Sequence, residues 1–486
     1  MSSLDPAEKR RQEILYGPVV RTLMKLAVPT VVSNLLSTAY NLLDTFWLGG
    51  LGSSALSAPM MSWPIISLIF SFVFGLSGAA IALISQNRGA GKDEDARKSL
   101  AHIIIVVILI GAPLAIVVYI MLGWIPRLLK LTPEFAESFM NYAPIALVGQ
   151  TIMGLAMIGG MAFRVWGYPE VALYVRVPFV LLNAVLDPFL IYGWGPFPRL
   201  EVKGAAIATL IAEVLEGAVA LYLIVYGKVG INMRLKHLKP DVKLIKGIVK
   251  VGTPMGITNF TEASGFFVLT TIISRIGEVA ITTWTIYDKI TGLFWWMINS
   301  LGNASAIIIG QSIGANKFER AEDTIKITLL LGFIISLIGT VVIAILHDQV
   351  FAMFLRNPED PLRPLVLRES LYITTIFGAS LPVLSISFTA MAPFYISGRT
   401  KYPMYVALAR LWMMRVPLTF LFGIVLGYGT IGAWTGMSLS NFLAGALGYA
   451  ILRTGKWKYR VIETPEVSMG GDVTACSKEN LLEDHE

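Results

Sequence analysis

The stretch Val28-Pro-Thr-Val-Val-Ser-Asn-Leu-Leu-Ser-Thr-Ala-Tyr-Asn-Leu-Leu-Asp-Thr-Phe-Trp-Leu48 is apolar enough to cross a bilayer as one helix, yet it contains a carboxylate. A helix places four of its polar side chains in one stripe, because they are spaced four, three and four residues apart: Ser33, Ser37, Tyr40 and Asp44. A charge in the bilayer interior is costly. The stripe therefore predicts contact with protein or water rather than lipid.

Similar apolar runs continue through the rest of the chain, which has 486 residues, 55% of them hydrophobic and 15% charged. This composition favours a multi-pass helical membrane protein over any soluble class, and no alternating strand-like segments typical of a β-barrel occur. We predict an all-α fold with twelve transmembrane helices, at residues 20–48, 57–85, 99–122, 140–160, 171–193, 203–227, 248–274, 281–309, 325–347, 371–392, 403–427 and 430–452.

The loops between these spans differ in positive charge. Loops after even-numbered spans, together with the first three residues of the span that follows, carry 17 Lys and Arg residues, against 8 for the odd-numbered spans. By the positive-inside rule we expect both termini to be cytoplasmic and the protein to lie in the cell membrane. The same asymmetry accounts for most of the net charge of +7, so no nucleic-acid partner is expected.

The chain repeats itself at a constant separation of 225 residues. The matched pairs include residue types that rarely coincide by chance: Pro29 and Pro254, Asn34 and Asn259, Gln86 and Gln311, Lys92 and Lys317. Later in each repeat, Phe163 and Gly167 match Phe394 and Gly398 at a separation of 231. Because each repeat holds six spans, the two six-helix bundles should be related by a pseudo-two-fold axis along the membrane normal.

The repeat divides the chain into five parts. Residues 1–19 form a cytoplasmic segment, 20–227 the N-lobe, 228–247 a cytoplasmic linker, 248–454 the C-lobe and 455–486 a polar tail that we expect to be disordered. A binding cavity is expected between the lobes, exposed alternately to the two sides of the membrane.

The repeat also shows which charges the fold can do without. Asp44 corresponds to Leu269 at the first separation, and Asp187 corresponds to Leu418 at the second. The C-lobe therefore manages with leucine where the N-lobe has carboxylates. This difference favours a functional role for the two aspartates; the alternative is a buried structural hydrogen-bond network.

Two further polar residues, Asn183 and Thr209, are expected at the level of the two aspartates. Asn183 and Asp187 are four residues apart and share a helix face, and Thr209 lies early in the next span. Together with Asp44 they offer only oxygen ligands, a set suited to Na⁺ or to shared protons. Glu213 is expected to face the interior of the same bundle.

The C-lobe carries different intramembrane charges. Glu262 matches Ser37 of the stripe, Asp288 and Lys289 are adjacent in the eighth span, and Arg415 lies within the eleventh. Unpaired charges there would be costly, so we expect Glu262 or Asp288 to pair with Arg415 or Lys289. Glu262 is a candidate for either coupling or structure.

Five motifs stand out along the chain: Leu26-Ala-Val-Pro29, Asp44-Thr-Phe-Trp-Leu-Gly-Gly-Leu-Gly52, Gln86-Asn-Arg-Gly-Ala-Gly-Lys92, Gln311-Ser-Ile-Gly-Ala-Asn-Lys317 and Leu182-Asn-Ala-Val-Leu-Asp187-Pro188. Together they resemble the multidrug and toxic compound extrusion (MATE) family, above all its archaeal and bacterial branch of cation-coupled efflux proteins. The resemblance extends over residues 15–460.

The resemblance implies an exporter that exchanges Na⁺ or H⁺ for organic cations. It implies a cation site, with Na⁺ ligands at Asp44, Asn183 and Asp187, and with Thr209 and Tyr40 beside them. It also implies that Pro29 bends the first helix. Two features depart from the branch: Gly160 stands where an asparagine is expected, and Glu262 matches a coupling glutamate of other branches. The coupling ion therefore stays open.

The expectation is a secondary active antiporter for small, mostly cationic and amphipathic compounds, monomeric and without an enzymatic activity or a cofactor beyond the coupling ion. A flippase for lipid-linked saccharides is the main alternative; it should have several basic residues in the cavity, and Arg415 is the strong candidate. The dispersed histidines argue against a metal-dependent lipid-modifying enzyme, and the lack of a filter motif argues against a channel.

Overall fold

The computed structural model describes residues 5–128, 131–227, 229–355 and 361–461. Within them the chain forms twelve long helices: α1 Val19–Gly49, α2 Ser53–Gly89, α3 Asp93–Leu122, α4 Pro133–Val165, α5 Pro169–Tyr192, α6 Val202–Val225, α7 Val242–Ile276, α8 Glu278–Gly314, α9 Phe318–Ile345, α10 Arg363–Ile396, α11 Lys401–Val425 and α12 Gly429–Arg453. The described residues contain no strand. The predicted all-α class is confirmed, and each predicted span overlaps one helix.

Among the described residues, nine of the twelve helices are both long enough and apolar enough to cross a membrane. Short helices accompany them at Pro6–Tyr16, Ile125–Leu128, Leu235–Leu238 and His347–Ala352. The predicted domain boundaries stay predictions. Residues 1–4 of the N-terminal segment, residue 228 of the linker and residues 462–486 of the tail lie outside the described residues.

The repeat is visible in the backbone of matching loops. Gly91 in the α2–α3 loop has φ 73°, and its counterpart Asn316 in the α8–α9 loop has φ 58°. Both are left-handed, a conformation that Gly and Asn adopt more readily than other residues. Gly167 and Gly398, matched at the second separation, likewise have φ 88° and 70°. The two lobes therefore share turn geometry as well as helix order.

The lobes meet near the end of the helices that carries the chain termini, which we call the terminus end. Leu76 of α2 belongs to one hydrophobic cluster with Val251 of α7 and Leu301 of α8. The backbones of α2 and α7 approach so closely at Gly75 that a Cβ there would overlap Gly256. At the opposite end, the far end, two further clusters of described residues each belong to a single lobe. Among the described residues, the close hydrophobic contact between the lobes therefore lies toward the terminus end.

The N-terminal helix Pro6–Tyr16 lies across the terminus end of both lobes. On the N-lobe side, Arg10 forms an ion pair of 2.6 Å with Glu170. On the C-lobe side, Arg320 donates from Nε to the carbonyl oxygen of Ile14 at 2.8 Å, and Lys317 Nζ lies 4.0 Å from the ring centre of Tyr16. This helix therefore joins the two lobes where they are closest.

Two helices of the C-lobe, α10 and α11, are not regular α-helices along their whole length. α10 contains a π-helical turn at Ile373–Phe377, and α11 contains two, at Ala409–Arg415 and Leu421–Val425. A π-helical turn inserts an extra residue and shifts the faces of the helix on either side, and such turns are frequent at functional sites. In α11 this shift changes which basic side chains face the interior of the lobe.

Candidate functional site

Five predicted site residues come together at the far end of the N-lobe: Tyr40 and Asp44 of α1, Asn183 and Asp187 of α5, and Thr209 of α6. The Tyr40 hydroxyl and Thr209 Oγ1 are 2.8 Å apart, and Asn183 Nδ2 donates to the same oxygen at 3.4 Å. The carboxyl groups of Asp44 and Asp187 lie within hydrogen-bonding reach of each other. Asn183 and Asp187 are fully buried.

Helix geometry explains the convergence of these residues. Asp44 lies near the end of α1, Asp187 near the end of α5, and Thr209 two turns into α6, so all three are at the same level of the bundle. The spacing of Asn183 and Asp187 places both on the face of α5 that packs on its neighbours. The predicted clustering is therefore what the structure shows, while the roles of these residues stay predictions.

The cluster has acceptors in excess of donors. Four buried oxygens receive no hydrogen bond from the described residues: Asp44 Oδ1, Asn183 Oδ1, Asp187 Oδ1 and Asp187 Oδ2. Buried polar atoms are normally paired, so an unmatched group of acceptors points to a bound cation or to a proton shared by the carboxyl groups. Either species would satisfy two facing carboxyl groups that otherwise repel each other.

The chemistry of this set favours Na⁺ or protons over a transition metal. It combines two carboxyl groups with amide and hydroxyl oxygens, and hard oxygen ligands are preferred by hard cations. Across the described part of the chain, no group of three His, Cys, Asp or Glu side chains is arranged to hold a metal ion.

Pro29 lies within α1, which is helical without interruption from Val19 to Gly49. One turn further along, Asn34 donates to Ser300 of α8 at 3.1 Å. α1 therefore carries the candidate ion site near one end and a contact with the C-lobe near its middle. The predicted bending at Pro29 remains a prediction.

A second polar network lies deeper in the N-lobe, and sequence analysis missed its centre, Arg176. This residue donates to Ser37 Oγ from Nε at 3.2 Å and from Nη2 at 2.9 Å, and lies 3.5 Å from Glu216. Glu213 faces the bundle interior as predicted, with Oε2 buried against Gly149 of α4. Arg176 could have been found from sequence, because any charged residue inside a predicted span is a candidate for function.

The structure of the C-lobe shows that the predicted ion-pair partner of Glu262 is wrong. Glu262 pairs with Arg410 rather than with Arg415 or Lys289, and Asp288 has no ion pair among the described residues. Arg410 is 4% exposed and Glu262 is 33% exposed, so the carboxylate is the more accessible member of the pair. The π-helical turn of α11 explains the error, because it rotates Arg410 toward α7.

Arginines in the cavity region are therefore more numerous than expected from sequence. Arg176 and Arg410 join Arg415, but Arg176 lies beside Glu216 and Arg410 is paired with Glu262. The region consequently lacks the concentrated positive charge that would hold a pyrophosphate.

These features define a class: a two-lobed, twelve-helix membrane transporter built from a parallel repeat, with a polar site buried in one lobe. A family model described as MatE matches the chain twice, over residues 29–189 and 254–421. The chain belongs to this family, the multidrug and toxic compound extrusion (MATE) transporters. The two matches fall one in each lobe, as the repeat requires.

Similar proteins cover nearly the whole chain. A probable multidrug resistance protein of Bacillus subtilis (strain 168), YoeA, is 25% identical over 86% of this chain and 90% of its own length. A protein of Shewanella oneidensis described as an FAD transporter is 22% identical over 91% and 96%. The crystal structure of a MATE protein in complex with MaL6 has a TM-score of 0.83 and 24% identity, over 92% of this chain and 98% of that one. This last likeness shows the fold.

Proposed function

We propose that the protein is a secondary active efflux transporter that exports small organic, mostly cationic and amphipathic compounds across the cell membrane in exchange for Na⁺ or H⁺. The observation that carries this proposal is the group of unmatched acceptors formed by Asp44, Asn183 and Asp187. Membership of a transporter family and the name of the Bacillus subtilis relative support an efflux role.

The proposed cycle follows from the position of α1. A cation or proton at Asp44 and Asp187 draws α1 toward α5, and α1 also bonds to α8 through Asn34 and Ser300. Ion binding can thus change the contact between the lobes. An ion drives the cycle only if it binds the two states of the transporter differently. The charge of the loops predicts that the far end, where Asp44 and Asp187 lie, faces the outer side of the membrane.

The other parts of the proposal follow from the sequence. Both termini are proposed to be cytoplasmic, the working unit to be a monomer, and the coupling ion to be the sole inorganic requirement. A flippase for lipid-linked saccharides is the weaker candidate, because carboxylates lie beside two of the three arginines in the cavity region.

Transport by the purified protein in liposomes tests the proposal. Uptake of a fluorescent organic cation is measured with a Na⁺ gradient and a pH gradient imposed separately, and one of the two should drive it. Asp44→Asn and Asp187→Asn should each abolish the gradient-driven component. Asp288→Asn is the matched control, because it removes a half-buried carboxyl group from the other lobe. Wild-type rates from both N-lobe variants would contradict the proposal.

A further inference from the structure

Arg415 is a buried charge of the C-lobe that forms no ion pair among the described residues. The residue is 7% exposed, and no carboxylate among the described residues lies within ion-pair distance of it. Arg410, five residues earlier on the same π-helical turn, is balanced by Glu262. An uncompensated charge within a membrane protein is costly, so the surroundings of Arg415 call for an anion.

The polar atoms next to Arg415 are neutral. Its Nε donates to Ser440 Oγ at 3.2 Å, and its Nη2 donates to Asn441 Oδ1. Asn441 in turn donates from Nδ2 to Ser380 Oγ at 2.7 Å. These contacts orient the guanidinium and occupy two of its five N–H groups, which leaves others for a ligand.

Unmatched donors lie around the same region. The indole N–H of Trp434 and the hydroxyl groups of Tyr287 and Thr419 are buried and have no hydrogen-bond partner among the described residues. The ring of Phe377 lies between Arg415 and Tyr287, with its centre 5.8 Å from the guanidinium carbon and 5.9 Å from the Tyr287 ring. Trp434 is further away, because Trp284 lies between it and Phe377. An indole N–H can only donate, so this group also matches an acceptor such as an anion.

The position of Arg415 is informative as well. It lies three residues before Leu418, the counterpart of Asp187 in the repeat, so the C-lobe has a cationic group close to where the N-lobe has its carboxyl pair. The backbone of α11 is π-helical up to Arg415, which is a frequent feature of ligand sites. Geometry, charge and local backbone therefore agree.

We propose that the C-lobe binds a compact anion at Arg415, between α10, α11 and α12. The ligand is either a free halide or the carboxylate or phosphate group of a transported compound; both present a small acceptor to the guanidinium. If the ligand is a halide, the inference does not depend on the proposed antiport, because halide binding is measured without transport.

The wild-type protein in detergent gives the first test. Thermal unfolding and tryptophan fluorescence are followed at constant Na⁺ with chloride, bromide, formate, acetate or inorganic phosphate replacing gluconate. A ligand that binds the folded state raises the unfolding temperature with the logarithm of its concentration. A saturable shift with halides identifies a free-ion site, and a shift with formate, acetate or phosphate alone identifies a site for a substrate group. Equal unfolding in every anion overturns the proposal.

Variants locate the effect. Arg415→Gln should abolish the anion-dependent shift, and Ser440→Ala, a milder change, should weaken it and keeps the test possible if Arg415→Gln does not fold. Arg88→Gln is the matched control, because Arg88 is a fully buried arginine of the other lobe, paired with Asp93 at 2.6 Å. It should keep the wild-type shift. An unchanged response in Arg415→Gln or Ser440→Ala, or an equal loss in Arg88→Gln, overturns the proposal.

Discussion

The far ends of the two lobes have the same order of helices and opposite polar chemistry. The N-lobe buries oxygen acceptors without donors around Asp44 and Asp187, whereas the C-lobe buries a cation and donors around Arg415 and Trp434. The counterparts of the two aspartates are Leu269 and Leu418. The comparison teaches that the helix repeat needs neither set, so each set is free to serve binding. Four sets of changes test how the two lobes differ and how they are joined.

The largest effect is expected when the N-lobe is given the residues of the C-lobe. Asp44→Leu with Asp187→Leu should leave the unfolding temperature equal or higher, because two facing buried carboxyl groups are removed. Ion-driven transport should fall by about tenfold or more, the equivalent of at least ~1.4 kcal/mol. Liposome uptake and thermal unfolding measure the two effects. A double variant that unfolds would show that the carboxyl groups are structural, as in the alternative interpretation.

A second change tests whether the ion pair of the C-lobe stabilises the fold, in contrast to the carboxyl pair of the N-lobe. Glu262→Gln leaves the buried Arg410 without its partner, which should cost about 1–3 kcal/mol of unfolding free energy. Adding Arg410→Met should recover most of that loss. Denaturant titration of the single and double variants measures it. If the double variant is no more stable than Glu262→Gln alone, the pair does not act as a structural unit.

A third change compares two contacts between the lobes, that of α2 with α7 at Gly75 and that of α1 with α8 at Ser300. Gly75 and Ser300 are counterparts at the separation of 225 residues. Gly75→Ala places a methyl group against Gly256, and overpacking of this kind costs about 1–3 kcal/mol. The Gly75→Ala change should therefore shift the protein toward a state in which the two lobes are separated at the terminus end. Ser300→Ala, at the related α1–α8 contact, loses one hydrogen bond and should shift it less. Gly292→Ala is the control, because a methyl group there meets nothing within 4 Å.

Spin labels on the terminus ends of the two lobes, in a background without Cys476, report the distance between them. The Gly75→Ala distribution should move to longer distances, and the Gly292→Ala distribution should match wild type. Equal distributions in all three variants would mean that the α2–α7 contact does not hold the lobes together.

The smallest effect concerns the segment that joins the lobes. Glu94, at the start of α3, accepts from His237 Nε2 at 2.8 Å and from Lys236 at 2.9 Å, and the His237 hydrogen bond is the main cause that lowers its pKa from 4.5 to about 2. The stabilising contribution is complete above pH 4.5 and is lost as the pH falls toward 2. Because Glu94 is largely exposed, the effect should be small.

The anisotropy of a fluorophore attached to the linker measures this contribution. It should fall between pH 4.5 and 2 in the wild type, and Glu94→Gln should give the low value throughout. A wild-type anisotropy that is independent of pH over this interval would contradict the proposed anchoring.

Most of the fold could be predicted because two independent periodic signals agree: apolar runs and the separation of 225 residues. Helix ends were less accurate, with α10 beginning eight residues before its predicted span. Hydropathy detects the part of a helix that is apolar, while the helix itself continues as long as its backbone hydrogen bonds do.

The candidate site could be predicted only where its residues are related by helical spacing or by the repeat. Asp44, Asn183 and Asp187 satisfy those conditions. The partner of Glu262 does not, because the choice between Arg410 and Arg415 depends on a π-helical turn. That turn has no spacing signal in a single sequence, and the contact of Arg176 with Ser37 likewise depends on how α5 is rotated against α1.

The helix Pro6–Tyr16 has a consequence for the order in which the molecule is made. It is among the first parts of the chain to leave the ribosome, yet its contact with Arg320 joins residues 306 positions apart. That contact cannot form until two helices of the C-lobe, α7 and α8, are complete and the third has begun. The helix Pro6–Tyr16 is therefore synthesised long before it can reach its final position, and a protein extended at its N-terminus tests how much space that last step requires.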